Sequence, residues 1–264
     1  MTTPSALVKV MIDAARKAGR KLARDFGEVG ELQVSRKGTA DFVSAADLAA
    51  EQTVFEELTK ARPGYSFLGE ERGLVEGSDR THRWIVDPLD GTTNFLHAIP
   101  HFATNIALER EGVVVAGVTY NPVTGDAFWS EKGKGAFMND RRLRVSARNR
   151  LEDSVVATGI PYAGHGQHAR FLKELHQVSS RVAGVRRFGA AALDLAFVAA
   201  GRFDGYWERD LKPWDLAAGL LMVVEAGGKV TAADGGAFDL DEGSVCAANL
   251  EIHPLLAARL KAAA

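Results

Sequence analysis

Apolar positions along this chain follow two periods, one helical and one strand-like, and the two alternate from one end to the other. Leu7, Val10, Met11, Ala14, Ala18, Leu22 and Ala23 recur at helical spacing behind Thr3-Pro4-Ser5, which predicts an amphipathic helix capped at that tripeptide. It does not read as a targeting peptide, because Asp13 interrupts the apolar stretch and most of the basic residues follow it. "ELQVS" then reads as a strand, "RKGTAD" as a turn, and Ala45 to Lys60 as a second helix stopped by Pro63-Gly64. "YSFLGEE" and "RWIVDP" read as short strands, and the β-branched stretch from Thr104 to Trp129 predicts consecutive antiparallel strands. Beyond it, "SVVATG", "FDGYWE" and "KVTAAD" read as strands. They are interleaved with helices over His168–Ser179, "AAALDLAFVAAG", "PWDLAAGLLMVVEAGG" and "HPLLAARLKAA". This alternation predicts a layered α/β or α+β protein. A length of 264 residues suits one domain built of two tightly joined halves, about 1–145 and 146–264.

Composition narrows the function. Hydrophobic residues make up 46% and charged residues 25%, ordinary values for a globular protein with a core. A net charge of -2 supplies no broad basic field for nucleic acid or an anionic membrane, and no apolar run approaches bilayer length. Neither direct nucleic-acid binding nor membrane insertion is expected. The one cysteine, Cys246 in "GSVCAAN", cannot form an internal disulfide and reads as a buried, inert thiol, consistent with a reducing cytoplasm.

The chemistry concentrates in "HRWIVDPLDGTTNF", from His82 to Phe95. An apolar strand there runs into Asp87 and Asp90. Pro88 removes an amide donor and should stop the strand, Gly91 permits a tight turn, and Thr92-Thr93-Asn94 suits a helix start. A helix N-terminus offers amides and a positive dipole end to phosphate. Two carboxylates beside it would repel that phosphate unless cations lay between them, which points to Mg²⁺. Read alone, Asp87 would merely cap the strand end and Asp90 the helix that follows. Three further stretches shift that balance: Glu70 in "LGEE", Asp215 in "KPWDLAAG", and Lys37, Asp41 and Asp47 in "KGTADFVSAAD". Each has a bland reading of its own, as strand-end solvation, helix capping, or a cap plus surface charge. One shared metal site accounts for all four. Of the seven histidines, His97 and His101 lie nearest the motif, and they read as surface or packing residues.

The blocks "GEE" at 69–71, "WIVDPLDGTTNF" at 84–95, and "WDLAAG" with "EAGG" at 214–228 closely resemble the inositol monophosphatase family, especially its bacterial type, and the resemblance spans essentially the full chain. It implies the αβαβα sandwich of the lithium-sensitive, Mg²⁺-dependent phosphatases, usually a homodimer. Carried over, it gives one Mg²⁺ to Glu70, Asp87 and the Leu89 carbonyl, and a second to Asp87, Asp90 and Asp215. A third, weaker ion would lie near Glu70. Phosphate oxygens fall to the amides of Gly91 and Thr92. The attacking water falls to Glu70 and Thr92, the latter supported by Asp47. Gly189, Ala191 and Glu208 match positions that contact inositol hydroxyls, whereas Ala190 stands where animal members often carry threonine. Without the resemblance, Glu208 would read as an exposed strand-end acid; Lys212 reads as a surface charge or a dimer contact and stays outside the site.

The resemblance implies a phosphomonoesterase for myo-inositol 1-phosphate or a similar polyol phosphate. Histidinol-phosphate, fructose 1,6-bisphosphate and nucleotide 3′-phosphates remain as alternatives, with "DGTTNF" favouring the inositol type over the nucleotide type. A second class, a partner of the transcription machinery acting independently of catalysis, rests on family analogy alone.

Overall fold

The computed structural model describes residues 3–27, 34–37 and 41–263, without the side chains of 34–37 and 41–44. The side chains of Lys37 and Asp41 therefore lie outside it. The outermost layer is a helix pair, α1 (Ala6–Phe26) and α2 (Ala45–Ala61). Ser5 caps α1, its hydroxyl accepting the Val8 amide at 3.3 Å. A short antiparallel hairpin, β1 (Val34–Lys37) and β2 (Asp41–Ser44), precedes α2.

The helix pair covers one face of an eight-stranded sheet ordered β10-β9-β8-β7-β6-β5-β3-β4. Its strands are β3 (Tyr65–Gly69), β4 (Gly73–Val75), β5 (Asp79–Asp90), β6 (Ala103–Arg110), β7 (Val113–Tyr120), β8 (Ala127–Glu131), β9 (Gly135–Met138) and β10 (Arg141–Arg142). Only β3 and β5 pair in parallel; every other pairing is antiparallel. A short helix, α3 (Thr92–Leu96), follows β5.

A second sheet of five strands comes from the later part of the chain: β11 (Val155–Thr158), β12 (Gly184–Arg186), β13 (Gly205–Glu208), β14 (Lys229–Thr231) and β15 (Val245–Ala248), in the order β12-β11-β13-β15-β14. Its outer face carries α4 (His168–Ser179) and α7 (Ile252–Ala262). Between the two sheets lie α5 (Ala191–Ala199) and α6 (Pro213–Glu225). These two helices are apolar nearly all round, as burial on both faces requires. Small residues bring α6 close to the first sheet: a Cβ on Gly117 of β7 would lie 2.7 Å from Ala218 Cα of α6. The result is an αβαβα sandwich, the expected fold.

Three features depart from the sequence reading. Strands β4, β9, β10 and β12 are two to four residues long, too short to leave a period. β5 does not stop at Pro88 but continues to Asp90, with its register against β6 shifting between Asp87 and Asp90. The missing proline amide sits in that irregularity, where no ladder bond is needed. Helix α3 has only five residues, so it brings amides to the site but little dipole.

Candidate active site

Asp87 and Asp90 lie at the end of β5, 2% and 9% exposed, and the first turn of α6 brings Asp215 beside them. One carboxylate oxygen from each can be chosen so that all three lie within 4.8 Å of one another. Every one of these side chains also accepts a backbone amide. Asp87 Oδ1 takes Leu89 N–H at 2.9 Å, Asp215 Oδ2 takes Lys212 N–H at 2.7 Å, and Asp90 Oδ2 takes Ala192 N–H at 2.8 Å. The last bond corrects the simple capping reading. Asp90 does not cap the helix that follows it but α5, whose own cap position, Ala190, has no side-chain acceptor. Asp215 does cap α6, with one of its two oxygens.

Burial holds the Asp87 carboxyl well above the usual range, and the charges of Glu70, Asp90, Asp215 and Asp47 raise it further. Asp90 is likewise pushed well up, by burial and then by Asp215. Asp215 is pushed to about 6 by burial, against the opposing pull of the Lys212 amide and a hydrogen bond with Asp87. Glu70 is exposed at the rim just beyond β3, whereas Asp47 in the first turn of α2 is buried and no surface charge. An all-oxygen, buried and mutually repelling donor set of this kind suits a hard divalent cation.

In front of the cluster, the chain turns through Gly91 at φ +91°, where a Cβ would also lie 3.0 Å from His101 O. The first helical bond of α3 runs from Phe95 N–H to Gly91 O, so the amides of 92–94 precede it. Thr92 Oγ donates to the Leu89 carbonyl at 3.0 Å; Asp47 Oδ2 stands farther off, at 3.5 Å. Asn94 Nδ2 donates to His101 O at 2.8 Å and Phe188 O at 2.7 Å, tying this turn to the Gly189 loop. His101 packs against the Phe188 and Phe197 rings, and His97 is exposed.

Gly189, at φ +81°, and Ala191 lie just before and at the start of α5. Glu208, at the end of β13, is not the exposed acid of the bland reading. It is half-buried and takes a hydrogen bond from the Tyr206 hydroxyl. A Cβ at Gly159 would overlap its carboxylate. Burial pushes Glu208 up to about 8, opposed by the Tyr206 bond and augmented by the charges of Asp194 and Asp215.

Several positioning residues escape a sequence reading. Asn105 on β6 lies opposite Asp87, and its Nδ2 donates to Trp214 O at 2.6 Å, directly before Asp215. Its Oδ1 accepts the Thr119 hydroxyl at 2.7 Å, and Thr104 Oγ donates to Pro88 O at 3.0 Å. The available signal was weak: polar residues in otherwise apolar strands. Nothing in sequence order marks Gly159 or Tyr206.

An αβαβα sandwich with a buried carboxylate cluster at the end of an interior strand offers oxygen donors that could hold a cation. The chain belongs to the inositol monophosphatase family, whose profile it matches over residues 3–264. It is 68% identical to an inositol-1-monophosphatase of Caulobacter vibrioides, over 96% of this chain and 100% of that protein. It is 38% identical to the Nus factor SuhB of Escherichia coli, over 97% of this chain and 96% of that one. The crystal structure of the extragenic suppressor protein suhB from Bartonella henselae superposes with a TM-score of 0.95 at 57% identity, covering 97% of this chain and 99% of that one.

Proposed function

We propose that this chain, acting as one domain, is a Mg²⁺-dependent phosphomonoesterase that hydrolyses myo-inositol 1-phosphate or a similar polyol phosphate. The observation that carries this reading is the meeting of Asp87, Asp90 and Asp215 directly before the Gly91–Thr92 turn. Glu70, Asp87 and the Leu89 carbonyl would hold one ion, and Asp87, Asp90 and Asp215 a second, with a weaker third near Glu70. Bound there, Mg²⁺ supplies water activation and neutralises the leaving oxygen.

The protein's own groups do the rest. The amides of Gly91 and Thr92 receive phosphate oxygens on a turn that Asn94 fixes against the Gly189 loop. Glu70 and Thr92, with Asp47 behind, orient the attacking water and take its proton. Glu208, one oxygen held by Tyr206, offers the other to a ring hydroxyl beside Gly189 and Ala191. The names of the Caulobacter, Mesorhizobium and Rhizobium relatives, at 60–68% identity, support the inositol assignment over histidinol-phosphate or fructose 1,6-bisphosphate. A homodimer in the cytoplasm completes the proposal.

Phosphate release from the inositol, histidinol and fructose esters, each in Mg²⁺ and in EDTA, tests the reading. Inositol 1-phosphate should give the highest kcat/KM, with no turnover in EDTA. Full turnover in EDTA would end the metal account, and a preference for another ester would replace the substrate. The relatives named Nus factor support one second reading, a transcription-machinery partner. Its test is capture of RNA polymerase by the Asp87→Asn protein; no capture removes it.

A further inference from the structure

One buried carboxylate outside the acidic cluster stands behind the turn that carries Glu70. Glu51 of α2 is 2% exposed, and its Oε1 accepts the backbone N–H of Glu71 at 3.0 Å and of Arg72 at 3.2 Å. Those two amides follow Glu70 immediately, where β3 passes into β4. On the other side of Glu70, Gly69 leaves room for the same oxygen, because a Cβ there would overlap it. Arg72 closes over the pair: its Nε lies 3.7 Å from Glu51 Oε2, and its guanidinium carbon sits 4.2 Å from the centroid of the Phe55 ring. Arg72 also donates to the Gln52 side chain.

The placement has a partner on the same helix. Asp47 precedes Glu51 by four residues, so the two carboxylates share one face of α2. Asp47 Oδ2 stands 3.5 Å from the Thr92 hydroxyl, while Glu51 takes the amides beside Glu70. Closing a short turn between two paired strands does not need a buried acid. What the acid adds is a fixed orientation for the residue between Gly69 and Glu71.

We infer that Glu51 is a positioning residue that locks the Glu70 turn against α2, so that Glu70 and Asp87 present their oxygens to a divalent cation at a preset separation. The inference rests on the metal reading above. It makes the reach of the side chain decisive and its charge secondary. Glu51→Gln keeps an acceptor at the same reach, whereas Glu51→Asp keeps the charge but draws it back by one methylene.

Mg²⁺ binding to the whole protein, followed by calorimetry and by the Mg²⁺-induced rise in Tm, separates the possibilities, with Glu70→Gln as the reference variant. Losing support behind a ligand costs roughly ten- to a hundredfold in metal affinity. Glu51→Asp should therefore weaken Mg²⁺ binding about tenfold or more, like Glu70→Gln, while Glu51→Gln stays within about threefold of wild type. The KM for substrate at saturating Mg²⁺ should hardly move. If Glu70→Gln weakens binding but Glu51→Asp does not, or if the order of Asp and Gln is reversed, the positioning role is wrong and the metal reading stands. Wild-type protein that takes up no Mg²⁺ would overturn both.

Discussion

Each aspartate of the cluster gives one oxygen to a backbone amide, so its hydrogen-bonding role in the fold can be tested apart from its charge. Asparagine keeps an acceptor for the Ala192 or Lys212 amide but removes the charge. Asp90→Asn and Asp215→Asn should therefore fold yet lose more than about a hundredfold in kcat, since a ligand counts for at least as much as its support. Without metal, each should melt a few degrees higher than wild type, because burial and like charges already disfavour its carboxylate. Near wild-type kcat in saturating Mg²⁺ would reduce the residue to a cap. Glu208→Gln probes the polyol side. Above about pH 8, where its carboxyl is ionised, one oxygen would accept a ring hydroxyl, and kcat/KM for inositol 1-phosphate should fall about ten- to a hundredfold, the worth of a charge-assisted bond. Activity on p-nitrophenyl phosphate should barely change. An equal fall on both substrates would move Glu208 into support of the metal site.

Strands β5, β6 and β7 carry a polar row through the sheet, Asp87 opposite Asn105 and Asn105 opposite Thr119, and its middle member, Asn105, grips the entry to α6 through Trp214 O. Asn105→Ala leaves that carbonyl and the Thr119 hydroxyl unpaired, at about 1–3 kcal/mol each. Lower Tm and a kcat reduced about tenfold, through a drifting Asp215, are the expected results; unchanged Mg²⁺ affinity in a merely destabilised protein would deny the link. The row also marks what a sequence can tell. Elements with a long period, such as α1, α2, α4 and β6–β8, were legible, and so was the acidic cluster, because its motif is dense. Of the short strands, β11, β13 and β14 were read, whereas β4, β9, β10 and β12 left no such mark, and β5 overran Pro88 because one irregularity absorbed the missing amide. Asp90's cap on α5 was illegible for another reason. It joins positions 102 residues apart, and only the packed layers bring them together.

Taken together, these buried acids make stability depend on pH with an unusual sign. Free carboxylates titrate near 4, whereas folding raises Asp215 to about 6 and Glu208 to about 8. A folded pKa above the unfolded one means that the native state binds more protons over that interval, so stability falls as pH rises through it. Metal-free protein should thus lose Tm from about pH 4 to about pH 8, and the Tm gained by adding Mg²⁺ should widen over the same range. A constant gap would mean that the acids do not meet at the cation. The Asp90–Ala192 bond has a further consequence, in time. During synthesis Asp87 and Asp90 emerge long before α5 and Asp215 exist, so the nascent chain offers a passing ion at most a fragment of its cage. On the proposed metal reading, tight cation capture would wait for the late helices to dock, and the ion would reward only chains that have been finished.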